Sequence, residues 1–273
     1  MTKRILSVLV AISLMFALAS IGMAKSSSDD IIVSATKEMI FDKKITDSCH
    51  ASTVLPLDDG SVIAAWFGGS SEQENDVKIY TSVRTEEDGW SDPVVVSAAD
   101  DVAHWNPVLF QKEDGTVVLY FKVGKTTEYW QTYYVTSTDG RSWSAPKELV
   151  AGDNSGGRGP VKNKPIRLKD GTVLAPASTE IDDKYRCFVD ISNDDGETWI
   201  KTAEIDSKYC TWFKVPMIQP TLWQSADGSV HMFTRTKVGK IYRSDSYDNG
   251  KTWCRAYATK LPNNNSGIDL DTD

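Results

Sequence analysis

Cysteine and histidine are scarce in this chain of 273 residues, which has four of one and three of the other. The cysteines, at 49, 187, 210 and 254, are spaced too widely for any zinc-ligand pattern. Cys187 and Cys210 are candidates either to bridge neighbouring strands or to stay as free buried thiols, and spacing does not choose between them. No motif calls for a metal or an organic cofactor. Basic residues are outnumbered 30 to 38, for a net charge of -8. That balance argues against nucleic acid and anionic membrane surfaces as partners of the whole protein, while leaving room for a local basic pocket. With 40% hydrophobic and 25% charged residues and a mean hydropathy of -0.34, disorder, a collagen-like repeat and a membrane bundle are all excluded. Aromatics, by contrast, are plentiful. Nine Trp and ten Tyr suit packed β-structure and stacking on sugar rings, and composition does not separate the two.

Residues 1–24 have the layout of a cleavable secretory signal: a short basic start to Arg4, an apolar run over 5–23, and small residues around Ala24. Cleavage there predicts a secreted or periplasmic protein with no membrane attachment. No Cys follows the run, so a lipoprotein anchor is unsupported. Residues 25–44 then form an N-terminal segment able to supply a closing strand, and 45–273 carry the fold.

Two markers repeat with one period. A D-G turn followed by a β-run occurs at 58–66, 113–121, 169–177 and 226–234, its glycines being Gly60, Gly115, Gly171 and Gly228. Between these lies a second element ending in Trp90, Trp143, Trp199 and Trp253, with turns such as S-N-D-D-G-E-T-W at 192–199 and S-Y-D-N-G-K-T-W at 246–253. D-G between β-branched residues is a hairpin turn. Each unit of about 55 residues therefore reads as two hairpins, or four strands, which is one blade of a β-propeller.

The second turn is the Asp-box. Together with H-A-S-T-V-L at 50–55, A-W-F-G-G at 65–69, H-W-N-P-V-L at 104–109, G-G-R-G-P-V-K-N-K-P-I at 156–166, Q-P-T-L-W at 219–223 and N-N-N-S-G-I-D-L at 263–270, it resembles the bacterial sialidase-like (predicted neuraminidase, BNR-repeat) family across nearly all of 45–270. The resemblance implies an all-β, sialidase-type propeller of about six four-stranded blades. Four repeats and the start of a fifth are visible here, so the expectation is a propeller truncated at its C-terminus.

The repeats also supply an internal control: positions alike in every copy serve the fold, and positions that differ at one phase are free to serve function. The start of each inner strand differs. It carries His50, then His104-Trp105-Asn106, then Lys162-Asn163-Lys164, then Gln219, then Asn263-Asn264-Asn265. In a propeller these starts converge at one end of the central channel. The loops leaving the second strands return there with Glu72, with Lys122, Lys125, Glu128, Trp130 and Gln131, with Glu180, and with Arg235 and Lys237, while Arg158 lies in the approach to the third inner strand.

From these, His50, His104, Glu72 and Glu180 are the catalytic candidates, with Glu128 a further carboxylate. The expected anion clamps are Arg158, Lys162, Lys164 and Arg235. Trp105 and Trp130 are expected to stack on a ring, with Asn106, Gln131, Asn163, Gln219, Asn264 and Asn265 as polar contacts. His231, in mid-strand, is expected to be structural.

Resemblance to the family implies an exo-acting sialidase-like glycoside hydrolase with a carboxylated glycan as substrate. The chain departs from the family's early R-I-P motif, however, and reads S-C-H-A-S-T there. Related propellers that cleave uronate-linked sugars, among them rhamnosidases and polysaccharide lyases, place a His at this position. A lyase, a uronate-linked rhamnosidase or a non-catalytic glycan binder thus remain the alternatives.

Overall fold

The computed structural model describes residues 36–182, 184–210 and 213–271. The targeting segment read at 1–24 lies outside them. Every strand falls in one compact unit that begins at Ile40.

Among the described residues the strands form four antiparallel blades. Blade 1 comprises β1 (Ser48–Pro56), β2 (Val62–Gly69), β3 (Lys78–Thr85) and β4 (Gly89–Trp90), with β5 (Val94–Val96) also pairing β3. Blade 2 comprises β6 (His104–Gln111), β7 (Val117–Val123), β8 (Gln131–Ser137) and β9 (Lys147–Glu148). Blade 3 is made of β10 (Ile166–Arg167), β11 (Val173–Ile181), β12 (Lys184–Ser192) and β13 (Ile200–Lys201). A small hairpin, β14 (Lys208–Cys210) with β15 (Phe213–Lys214), precedes blade 4, which comprises β16 (Met217–Gln224), β17 (Val230–Thr236), β18 (Lys240–Ser246) and β19 (Tyr257–Pro262). The fold is the expected all-β propeller of four-stranded blades. Residues 36–47 contribute no strand.

The second strand of blade 2, β7, is buried along its whole length, because blade 1 covers one face of its blade and blade 3 the other. Successive blades share one apolar cluster per seam. Ile63, Phe67 and Ile79 meet Leu109, Leu119 and Phe121; Val118 and Tyr120 meet Val173 and Ala175; Leu174 and Val189 meet Leu222 and Met232.

The two turn types serve different ends. In each D-G turn an Asp closes the corner locally, as Asp59 does by accepting from the Ser61 amide and hydroxyl. In the Asp-box the carboxylate ties the whole loop: Asp194 Oδ1 accepts from the Ser192 hydroxyl and Thr198 amide, and its Oδ2 from the Thr198 hydroxyl. These bonds, the Thr198 hydroxyl first, hold the Asp194 carboxyl down at about 2. The Asp-box glycines then press on the preceding blade. A Cβ on Gly140 would lie 2.5 Å from Ile63, and one on Gly250 would lie 2.7 Å from Leu174.

Of the cysteines, Cys187 is a free thiol in the core, and Cys49 and Cys254 are free and exposed. The Cys210 side chain is outside the described residues.

The two glycine classes should respond differently to alanine. Gly60 and Gly250 both have φ near +80°, so either substitution costs roughly 1–2 kcal/mol for the left-handed backbone. A Cβ at Gly60 meets nothing within 4 Å, whereas one at Gly250 collides with Leu174. Urea denaturation should find Gly250→Ala clearly less stable than Gly60→Ala. Equal losses would show that the Asp-box turn does not clamp one blade to the next.

Candidate functional site

The inner strands of blades 1, 2 and 4 are not regular. Register slips between His50 and Thr53, between Trp105 and Val108, and between Ile218 and Thr221. In each slip one residue takes a left-handed backbone: Ala51 at φ 52°, Asn106 at 43° and Gln219 at 51°. Lys162, ahead of β10, does the same at 68°. All four stand nine residues before a D-G glycine, and Asn265, in N-N-N-S-G, also takes a left-handed backbone at φ 68°. Outside glycine and asparagine this conformation is uncommon and strained, and such strain gathers at binding and catalytic sites.

Ala51, Asn106, Lys162 and Gln219 all line one cavity. It holds about 280 Å³ and is lined by His50, Ala51, Glu72, Trp105, Asn106, Thr127, Trp130, Lys162, Glu180, Ile218, Gln219, Arg235 and Gly267. Nine of these are among the residues chosen from repeat phase. Ala51, Thr127, Ile218 and Gly267 were not chosen. The fixed nine-residue offset would have singled out Ala51, whereas no sequence signal marks the other three.

On the rim His50 Nδ1 donates to Glu72 Oε2 at 3.3 Å, with both side chains more than half exposed. His50 also packs on Phe67, their ring centres 5.5 Å apart. Deeper in, burial pushes the Glu180 carboxyl up, helped by the charge of Glu72 and opposed by a Thr127 hydrogen bond and by Arg235 and Lys237. Burial likewise pushes the Lys162 ammonium down, with Asp269 pulling it back and Arg235 and Lys164 adding to the fall.

Arg235 is held by two neutral amides. Its Nε donates to Asn265 Oδ1 at 3.0 Å and its Nη1 to Gln219 Oε1 at 2.9 Å. By contrast, Arg158, Arg167, Arg186, Arg243 and Arg255 are each paired with a carboxylate.

The remaining sequence candidates lie off the cavity lining. His104 is fully buried. Its Nε2 accepts from the Ala98 amide, and its Nδ1 donates to the Val77 and Val102 carbonyls. Burial, with the nearby Lys78 charge, lowers it to about 4, so at neutral pH it is an uncharged strut. Arg158 is clamped by Asp190 and Asp153 at the seam of blades 2 and 3, which leaves its charge spent.

Lys164 is absent from the cavity lining and pairs with Asp269 and Asp271. Asn163 donates to the carbonyls of Gln219 and Pro220, Gln131 donates to Asn154, and Asn264 is exposed. Asn265 acts only through Arg235. Glu128 accepts from the Asp182 amide.

Trp105 and Trp130 reach the cavity but are 5% and 1% exposed and meet edge to face, so neither offers an open ring face to a sugar. The expectation of stacking failed because each indole is consumed by packing. His231 is buried beside Ser229 and Asp245, a structural position as read from its alternation. Among the described residues, no group of three or more His, Cys, Asp or Glu is placed to hold a metal ion.

The BNR repeat-like domain family matches residues 60–272. The chain belongs to that family. No curated protein matches it in sequence. Among solved structures, this BNR-repeat chain is similar to a protein of unknown function from Dyadobacter fermentans (18% identity, TM-score 0.63, covering 77% of this chain and 68% of that one). It is also similar to a Hadza microbial sialidase (17%, 0.65, 79% and 48%) and to a variant of the NanB sialidase from Streptococcus pneumoniae (13%, 0.68, 90% and 58%). The chain thus spans between about half and two thirds of the length of these proteins. At such identities the likeness shows a shared propeller fold.

The acid response of this BNR-repeat blade stack should reveal His104. Its folded pKa of about 4 lies below the ordinary 6.5, so the stability it supports is complete above pH 6.5 and is lost as pH falls through 4. Over that window the denaturation midpoint of a His104→Gln variant should fall less steeply than the wild type's. Parallel curves would remove His104 as the acid-sensitive strut.

Proposed function

We propose that the chain is an exported, sialidase-like glycoside hydrolase acting on a terminal sugar that carries a carboxylate. The observation that carries this reading is the Arg235 guanidinium, oriented by Gln219 and Asn265 inside the cavity with no carboxylate bound to it among the described residues. A cation held by neutral groups keeps its charge available. A planar fork with fixed orientation grips a carboxylate through two parallel bonds. Lys162, which lines the same cavity, supplies a second positive charge.

The same cavity contains an acid and a base in contrasting environments. Glu180, whose carboxyl burial pushes up, suits donation to the leaving oxygen. His50, aimed by Glu72, suits activation of a water on the exposed side. The sialidases of similar fold support this chemistry by analogy alone. A leader of the kind read at 1–24 supports delivery to an extracellular or periplasmic glycan.

The His50–Glu72 pair also favours a second reading, because a histidine oriented by a carboxylate can abstract the proton beside a uronate carboxylate, giving a lyase.

Purified chain should be incubated with sialosides and with rhamnose–glucuronate glycans, and the products followed by mass. Release of an intact carboxylated monosaccharide is expected; an unsaturated uronate would replace the hydrolase with the lyase. Binding without turnover would leave a glycan-binding propeller. Glu180→Gln and His50→Ala should each lower the rate by roughly 100-fold or more. A loss below tenfold in His50→Ala would remove that residue from the chemistry. Asn265→Ala should raise KM with little change in kcat, since it loosens the grip of Arg235 without touching the acid or base.

A further inference from the structure

Seven residues after each D-G glycine stand Phe67, Lys122, Ser178 and Arg235. Arg235 lines the cavity, but Lys122, its counterpart in blade 2, is wholly buried in the seam with blade 3. Its Nζ donates to Thr132 Oγ1 at 2.6 Å and to the Arg158 carbonyl at 2.7 Å. The Thr132 hydroxyl donates to that same carbonyl at 2.5 Å. The Arg158 side chain is pinned in turn: Nε and Nη2 to Asp190, Nη1 to Asp153, and Nη2 also to the Trp199 carbonyl, while the Gly159 amide donates to Asp190.

This knot secures a segment that cannot hold itself. Gly156, Gly157 and Gly159 all have positive φ. Gly157 lies so close to Trp130 that a Cβ there would be 2.9 Å from the indole nitrogen. Three residues beyond Gly159, Lys162 enters the cavity, and Asn163 then ties the backbone at Gln219 and Pro220. Gln219 holds Arg235. A continuous line of contacts therefore runs from Lys122 to the cavity's anion grip.

We propose that Lys122 is the positioning residue of the cavity: by fixing the Arg158 carbonyl it sets the glycine segment, and through that segment the wall at Trp130 and the placement of Lys162 and Gln219. Only the consequence for ligand binding rests on the function proposed above. The charged groups facing Lys122 are Asp190 on β12 and Arg158 on the glycine segment, whose guanidinium also holds Asp153; β6 and β8 offer Trp105 and Thr132, which carry no charge. Because Arg158 claims both carboxylates, the Lys122 ammonium is left with neutral acceptors. Burial, opposed by Asp190 and aided by Arg158, lowers it to about 7, so the grip titrates near neutrality.

The full chain should be titrated from pH 5.5 to 9 while the Trp130 indole N–H resonance is followed by NMR. A single transition centred near pH 7 is expected in the wild type and none in Lys122→Met. An indole signal that titrates alike in both, or in neither, would overturn the proposal. Should Lys122→Met fail to fold, Thr132→Val removes one donor from the same carbonyl and keeps the charge. It should displace the Trp130 signal yet retain the transition, and an undisturbed Trp130 would again overturn the assignment.

A second readout is stability. Folded Lys122 titrates at about 7 against its ordinary 10.5, so across that window the folded chain binds fewer protons there. The wild-type denaturation midpoint should gain on that of Lys122→Met from pH 7 to 9. Binding of N-acetylneuraminate, read by calorimetry at pH 6, should weaken about tenfold in Lys122→Met. If neither protein binds it while the Trp130 transition persists, the ligand reading fails and the positioning role stands.

Discussion

A glycine in the left-handed conformation lets the Asp-box turns of blades 2, 3 and 4 lie on the blade before them, and the stacking of blades depends on that contact. Gly140 rests on Ile63 and Gly250 on Leu174, at distances that exclude any side chain. The tryptophans that close these turns follow the same route. Trp143 donates to the Thr81 hydroxyl of blade 1, and Trp199 meets Tyr120 of blade 2 edge to face. A sheet with two apolar faces has no stable existence alone, so the turn that docks one blade on the next is what allows central strands such as β7 to be buried on both sides. Radial stacking then brings the first strands together at the channel, and the site follows from the packing.

Charge is distributed on this scaffold by a simple division. Arg158 in its seam and the cations between turns are neutralised by carboxylates, Asp190 and Asp153 for Arg158, Asp195 for Arg167 and Glu197 for Lys112, whereas Lys122 in the same seam is held by neutral oxygens. Where a cation faces the cavity, its holders are amides. Pairing a buried guanidinium with a carboxylate recovers its lost hydration. Orienting it with neutral oxygens leaves the field of the cation intact for an incoming anion in a pocket shielded from bulk water. Glu180 experiences the same environment with the opposite sign of consequence, since loss of hydration pushes its carboxyl up.

Repeat phase alone made the blades, their turns and the pocket end of the channel legible, because D-G glycines and Asp-boxes recur where hydrogen bonding demands them. It also brought together His50, Glu72, Glu180, Asn106, Lys162, Gln219 and Arg235. What it missed was decided by partners remote in sequence. Nothing near His104 announces that its imidazole will lodge between the Val77 and Val102 carbonyls. Nothing near Arg158 announces Asp190, 32 residues away. Lys162 and Lys164 look equivalent in K-N-K, and only the left-handed backbone at Lys162 sends one into the cavity and the other toward Asp269. The tryptophans were misread for the same reason: a large indole at a pocket phase serves the wall as readily as the ligand, and burial tells which.

The bulges explain how a structural repeat can carry a site of unlike residues. A one-residue slip in a strand sends every later side chain to the opposite face unless the slip is absorbed locally. Here it is absorbed in a single left-handed residue per blade, after which regular pairing resumes at Thr53, Val108 and Thr221. Strain of this kind is of order 1–3 kcal/mol per residue, and it persists because the strand pairs on either side fix the backbone. The ladder thus holds Ala51, Asn106 and Gln219 in place whatever their side chains, and these positions can change chemistry without disturbing the blades. It also means that the arms of the cavity stand in place before a ligand arrives, which removes the ordering cost that flexible arms would add to binding.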